Sequence, residues 1–289
     1  MLQQQLFQNG TITINYADSH TPGVPLVLLH GGSGRWQHLE SIIPKLAECW
    51  HVYALDLRGH GQSSHTPGNY RIQDYAGDIA AFVENVVGQP ALVFGHSLGG
   101  YVGIMLAAQR PDLLRVLIVG DSPLSREHLR SILENGSDQN TVWRDLAASD
   151  LSTATMIEKL QGVHVPSRDG NLVRMVDLYG ADNPWFPYMA ETLAQHDPDM
   201  LTSVMERFDD TFAMYDTDSL LPQIACPVMI LQADPDHGGM LTDAEVAHAL
   251  PLITHPHHIR LSNIGHPLFY PDPQPALDAM IAYLNSQTW

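Results

Sequence analysis

The chain has 289 residues, a hydrophobic share of 44% and a formal net charge of -18. Such a length buries a full core, and such a share excludes a disordered chain. The acidic balance repels polyanions, so nucleic acid and acidic membrane surfaces are set aside as partners. No apolar run approaches the roughly 18 residues of a membrane helix. Residues 1–10 carry neither a basic segment nor an apolar core, so no signal peptide is read there. Cys49 and Cys226 are far apart and share no metal or redox spacing. They are expected to be reduced, buried thiols in a cytoplasmic protein.

Residues 11–16 alternate and read as a half-exposed strand. Residues 25–30 are a continuous apolar run, as in a strand covered on both faces. A Gly-rich loop, Gly31-Gly32-Ser33-Gly34-Arg35-Trp36, follows it, and residues 37–47 read as a helix. Residues 51–57 form the next strand and run into Arg58-Gly59-His60-Gly61-Gln62-Ser63. Ile72, Tyr75, Ile79, Phe82 and Val86 recur at helical spacing, which predicts an amphipathic helix over 72–87. Residues 91–94 are a short buried strand, followed at once by Gly95-His96-Ser97-Leu98-Gly99. Residues 101–110, rich in Ala, Leu and Met, read as a helix stopped by Pro111.

Strand, tight Gly-x-Ser-x-Gly turn and helix is the context of a nucleophile elbow, which makes Ser97 a candidate nucleophile. The two glycines sit where backbones approach too closely for a Cβ. The helix behind Ser97 aims its first N–H groups at any oxyanion formed there.

Residues 114–121 are a further buried strand. Strands alternating with helices imply a mostly parallel sheet with right-handed crossovers, whose ligand sits outside the strands' carboxyl ends. That rhythm breaks over residues 125–222, where helix-like stretches are joined by polar and Pro-containing turns. A segment of that length with its own helices is an inserted subdomain rather than a loop. The sheet resumes at 226–234, a helix follows at 243–250, a last strand at 257–262 and a closing helix at 275–284. The fold class is therefore α/β: a mostly parallel, doubly wound sheet from residues 1–124 and 223–289, with a helical cap inserted at 125–222.

The pieces at the strand ends are His30-Gly31-Gly32, Asp56-Leu57-Arg58-Gly59-His60-Gly61-Gln62-Ser63, Gly95-His96-Ser97-Leu98-Gly99-Gly100, Ala233-Asp234-Pro235-Asp236 and Ile264-Gly265-His266. Together and in this order, the chain resembles the α/β-hydrolase superfamily, as a serine esterase-like member with a helical cap. The resemblance implies a nucleophile–acid–histidine order. Ser97 is a weak nucleophile at its free pKa and needs a base. Of 16 histidines, the resemblance selects His266, in the loop between the last strand and the last helix. His96 is expected to point away from the elbow tip. His255, His257 and His258 have no carboxylate or cysteine at ligand spacing and read as a strand-edge cluster rather than a metal site.

The base needs an orienting carboxylate. Asp121, Asp234 and Asp236 all sit at strand ends. The family's usual acid follows the strand ending near Ala233, and Asp236 fits that spacing best; Asp121 occupies a second position used by some relatives. By the same resemblance, the oxyanion donors are the backbone N–H groups of Gly32 and Leu98. Arg58 reads as a pin for neighbouring loops. Trp36, Trp185, Phe186, Tyr188 and Met189, with Met175, Met205 and Met214, are candidates to line an apolar pocket.

These features lead to an expected activity: hydrolysis of a small neutral carboxylic ester through an acyl-enzyme on Ser97. His266 acts as base and then acid, oriented by Asp236. No cofactor and no metal is implied, and the partner is a small ester-like molecule rather than nucleic acid or membrane. Nothing in the sequence indicates an oligomeric state. The same triad serves lactone, thioester or carbon–carbon bond hydrolysis, and a slow-turnover ligand receptor of this fold keeps it too. Epoxide and haloalkane hydrolysis are disfavoured, because relatives with that chemistry carry Asp at the position of Ser97.

Overall fold

A computed structural model describes residues 2–166 and 171–287. Its strands in chain order are β1 (Gln3–Asn9), β2 (Ile12–Asp18), β3 (Val24–Leu29), β4 (Trp50–Leu55), β5 (Ala91–His96), β6 (Leu114–Gly120), β7 (His164–Pro166), β8 (Leu172–Arg174), β9 (Val228–Gln232) and β10 (Pro256–Arg260). Eight of them form one sheet in the order β1-β2-β4-β3-β5-β6-β9-β10. The run from β4 to β10 is parallel throughout, and the β1–β2 and β2–β4 pairings are antiparallel. The expected fold class is thus the observed one.

Strand β3 lies between β4 and β5. The strand order reverses there, which opens a crevice at the carboxyl ends. The Gly31 loop, Ser97, Asp121 and Ala233 each follow directly from the last residues of β3, β5, β6 and β9. The fold therefore gathers at one edge side chains that are distant in sequence, such as Asp121 and His266, 145 residues apart.

Both sheet faces are covered. One core joins Leu29, Val93 and Val119 to helices Ile72–Phe82 and Leu98–Gln109. The other joins Leu28, Phe94 and Ile118 to Trp36, Leu39 and helix Gln274–Ser286. Every residue of helix Leu98–Gln109 but the last is buried. A helix apolar on all sides must be a core element, as this one is.

Strand β1 is absent from the sequence reading. Its residues Gln3-Gln4-Gln5-Leu6-Phe7-Gln8-Asn9 show no apolar alternation and stay mostly exposed. Pairing with β2 alone makes it a strand. The helix read at 37–47 is a 3₁₀ stretch, Trp36–Ile42, continued by the short helix Ile43–Leu46.

Between β6 and β9 the chain is helical apart from the β7–β8 hairpin. Helix Trp185–Leu193 escapes the sequence reading, because Pro187 interrupts its pattern. Proline in a first turn costs no intrahelical bond, since that N–H has no partner there anyway. Leu146, Met156, Leu160, Phe186, Met189 and Leu193 make a core of the insertion's own. Met200, Leu201, Phe208, Phe212 and Tyr215 instead join the main core. Among the described residues, no helix is long and apolar enough to cross a membrane.

Candidate active site

Ser97 stands at φ 51° and ψ -112°, a strained conformation for a residue with a Cβ. Its neighbours enforce that shape. Ser97 N–H donates to Gly120 O at 2.9 Å, and Ser97 O accepts from Gly100 N–H at 2.9 Å and Ser122 Oγ at 2.8 Å. Gly95 and Gly99 make the turn tight enough. A Cβ on Gly95 would lie 2.1 Å from Gly99 O, and one on Gly99 would lie 2.5 Å from Leu29 O. Only hydrogen fits at either position.

The Gly31 loop runs directly over this turn. A Cβ on Gly31 would meet His96 Nδ1 at 2.9 Å and Ser97 Cβ at 3.2 Å. Gly99 N–H donates to His30 O at 3.1 Å and ties the loop to the helix start. Gly32 faces open space, with nothing within 4 Å of a would-be Cβ. Leu98 is the first residue of its helix, so its N–H is one of the donors that a helix leaves open.

His266 Nδ1 lies 2.7 Å from Asp121 Oδ2. Asp121 is fully buried and directly follows β6. Backbone N–H groups hold both of its oxygens: Met240 donates to Oδ2 at 2.8 Å, beside His266, and Ala233 and Leu241 donate to Oδ1 at 3.1 and 3.2 Å. Burial alone would raise its pKa, but the His266 imidazole and these N–H groups outweigh it and hold the pKa below the usual value. Asp121 therefore stays an anion. It accepts the Nδ1 proton and leaves the lone pair of the neutral ring on Nε2.

The expectation that Asp236 orients His266 is corrected by this geometry. The Asp236 side chain is 88% exposed, with Arg260 at 4.0 Å. Asp234 does not reach His266 either. It caps the turn Pro235–His237, accepting from Asp236 N–H at 3.2 Å, and takes bonds from Asn263 N–H, Arg260 and His237. The Asn263 N–H first, then Arg260, lower its pKa. An Asp followed by Pro is an N-cap followed by a first helical residue. That cap pattern explains why the chain curls round Asp234 and turns Asp236 outward.

The His96 ring lies 4.7 Å from that of His266, and its Nε2 sits 2.8 Å from His266 O. It thus packs against the His266 loop.

Four of the proposed pocket residues lie in cores instead. Trp36 belongs to the core under the sheet; Phe186, Met189 and Met175 belong to the insertion's core. Trp185 packs against that core, Met205 packs against the main one, and Met214 is exposed. Tyr188 is different. Its ring lies 4.7 Å from the His38 ring, tilted by 59°, and 5.0 Å from the Arg35 guanidinium, so it bridges the insertion and the Gly31 loop. Cys226 is buried as expected, whereas Cys49 is exposed.

Arg58 pins loops as read. It donates to Asp78 at 2.6 and 2.7 Å and to Asn69 O at 2.9 Å, all within the core domain. The insertion is fastened to the neighbouring loops by Asp197 N–H on Gly59 O at 2.8 Å and by Gly68 N–H on Asp199 at 2.7 Å. Arg35 adds an ion pair to Glu191 at 2.8 Å.

Sequence reasoning missed a buried chain of histidines at this junction. His30 and His60 rings lie 4.9 Å apart, and His60 and His196 rings 4.4 Å apart. His30 spends both nitrogens as a neutral ring, Nδ1 donating to Gly31 O at 2.7 Å and Nε2 accepting from Leu57 N–H at 3.0 Å. Neither His196 nitrogen has a hydrogen-bond partner among the described residues. Burial drives the pKa of His30 down to about 3 and lowers those of His60 and His196 as well.

The sign for stability follows. These pKa values are lowered in the fold, so below about pH 6.5 the unfolded chain binds the protons that the fold refuses. Their contribution is full above that pH and is lost as pH falls, at about 1.4 kcal/mol per pH unit for each histidine. Urea unfolding at pH 7.5, 6.5 and 5.5 is expected to show this steep loss. His196→Phe is expected to make the slope shallower by one proton.

A model of the alpha/beta hydrolase family matches residues 26–279. The 2-(acetamidomethylene)succinate hydrolase of Mesorhizobium japonicum is 32% identical over 112 residues, 39% of this chain and 40% of that protein. An ethanol acetyltransferase of Wickerhamomyces ciferrii is 28% identical over 196 residues, 65% of this chain and 45% of that protein. These matched stretches span less than half the length of either relative. Among solved structures, the enol-lactonase from Burkholderia xenovorans superposes with a TM-score of 0.74 at 16% identity, covering 98% of this chain and 100% of that one. At that identity the superposition speaks for the fold alone. With the family model spanning the sheet from β3 to the closing helix, the chain belongs to the alpha/beta hydrolase family.

Proposed function

We propose that this protein is a serine hydrolase that cleaves a small, uncharged carboxylic ester through an acyl-enzyme on Ser97. The observation that carries the proposal is the His266 Nδ1 contact with buried Asp121, 2.7 Å long, at the sheet edge that also carries a serine held at φ 51°. In this reading His266 Nε2 takes the Ser97 proton as the hydroxyl adds to the ester carbonyl. Asp121 keeps the proton-bearing nitrogen turned away and stabilises the imidazolium. The Gly32 and Leu98 N–H groups receive the oxyanion. His266 then protonates the leaving alcohol, and water repeats the sequence to release the acid. No metal or cofactor enters these steps. The helical insertion at 125–222 acts as the cap, with Tyr188 as its contact to the Gly31 loop.

The formal charge of -18 supports a neutral substrate, since a polyanion would be repelled on approach. The test is kcat/KM across a panel of esters, lactones, thioesters and β-diketones. Uncharged esters with short or medium acyl groups are expected to rank first. A maximum on polyanionic substrates, or on insoluble long-chain triglyceride, would contradict the substrate reading. Binding without multiple turnover would assign the fold to a receptor.

A further inference from the structure

Outside the candidate active site, one cluster has the donor set of a metal centre. We propose that Asp18, His20 and His51 bind one Zn²⁺ ion, which clips the β1–β2 edge hairpin to β4. One ligand atom from each of the three lies within 4.8 Å of the others, the only such grouping of His, Cys, Asp or Glu among the described residues. Asp18 Oδ1 is 2.7 Å from His51 Nε2, and Asp18 Oδ2 is 3.2 Å from His20 Nδ1. Tetrahedral ligands at the usual zinc bond lengths stand about 3.3 Å apart, so the two carboxylate–imidazole separations bracket the required spacing and the two rings close on the ion from within 4.8 Å. Two imidazoles and one carboxylate suit zinc, with water taking the fourth position.

The surroundings orient the ligands for this role. With His20 Nδ1 on the metal, its Nε2 lies between Gln3 Oε1 at 3.0 Å and the Gln5 amide nitrogen at 3.1 Å, and Gln3 Oε1 is the acceptor for the proton it carries. A metal-bound histidine characteristically has such an acceptor behind it. The His51 ring is stacked on Tyr53 with centroids 4.4 Å apart, which fixes its plane. The Asp18 carboxylate is 8% exposed and the two rings 41% and 26%, so the site is reachable from solvent while its anion is shielded.

Placement assigns the ion a structural part rather than a catalytic one. Asp18, the last residue of β2, pairs with Tyr53, and His51 is the second residue of β4. This is the amino end of the parallel strands, whereas Ser97 follows the carboxyl end of β5. A bound ion would join β1, through Gln3, to β2 and β4.

The test uses the full chain without a tag, treated with chelator and titrated with Zn²⁺ against a chromogenic competitor. One ion is expected to bind with loss of affinity of about 100-fold or more in His20→Gln and His51→Gln, and about 10-fold in Gln3→Leu. At a hundredfold excess over the wild-type Kd, Tm is expected to rise by roughly 5 °C in the wild type, by about half of that in Gln3→Leu and by about 1 °C or less in the two histidine variants. Mg²⁺ is expected to do nothing, since it prefers oxygen ligands, and ester turnover is expected to be unchanged. No zinc effect on the wild type would overturn the proposal, as would equal zinc affinity in the three variants, which would place the ion on other histidines. Should a variant fail to fold, zinc-edge anomalous density from zinc-soaked wild-type crystals decides: a peak among the three side chains supports the site, and no peak there overturns it.

Discussion

Asp121→Asn is expected to lose about four orders of magnitude in kcat, while Asp236→Asn keeps nearly all of it. The reason is a proton. The Asp121 carboxylate accepts from His266 Nδ1 at 2.7 Å and so holds the imidazole in the tautomer with Nε2 bare. An amide at position 121 keeps its oxygen on the Ala233 and Leu241 N–H groups, which both donate to Oδ1. Its NH₂ therefore turns toward His266 and donates to Nδ1. The ring proton moves to Nε2, and the base that Ser97 needs is gone. At position 236 the same substitution changes an exposed side chain whose nearest charge is Arg260 at 4.0 Å. Asp234→Asn separates activity from stability. It weakens the turn Pro235–His237 and the Arg260 contact, so it is expected to lower Tm more than kcat. Circular dichroism of each variant, alongside kcat, checks that loss of activity is not loss of fold.

Ser97→Ala carries the largest expected effect, about six orders of magnitude in kcat. Alanine keeps a Cβ, so the strained turn between Gly95 and Gly99 is retained and folding should be unaltered. What disappears is the oxygen alone. Residues that act as one unit are non-additive. The double variant Ser97→Ala, Asp121→Asn is therefore expected to be no slower than Ser97→Ala by itself. A further drop of 10⁴ in the double variant would mean that Asp121 serves a step independent of Ser97.

The sheet and the elbow were legible because both rest on local patterns. Continuous apolar runs mark strands buried on both faces, and the Gly95 and Gly99 positions follow from how near Gly99 O and Leu29 O come. Other features depend on distant partners. Strand β1 has no pattern of its own and exists through β2. The partner of His266 depends on how residues 234–239 curl. Asp234 accepts from His237 Nδ1 at 3.0 Å and from Asn263 N–H at 2.9 Å, and this closes the loop and turns Asp236 to solvent. The Asp234-Pro235 cap pattern was available in the sequence, but spacing from the strand outweighed it. The pocket residues failed for a related reason. An aromatic or methionine on a helix can face either a ligand or its own core, and Phe186 and Met189 face the core. The histidine chain was hidden because His30, His60 and His196 come from three separate segments, with no shared spacing to reveal them.

The central claim is that Ser97 is the nucleophile and that His266, held by Asp121, activates it. Intact and peptide mass spectrometry after reaction with a fluorophosphonate tests this most directly. The account predicts one adduct per chain, on the peptide carrying Ser97, formed quickly by wild type and Asp236→Asn, slowly by Asp121→Asn and not at all by Ser97→Ala. Labelling of Ser97→Ala at the wild-type rate, or an adduct on another residue, would contradict it.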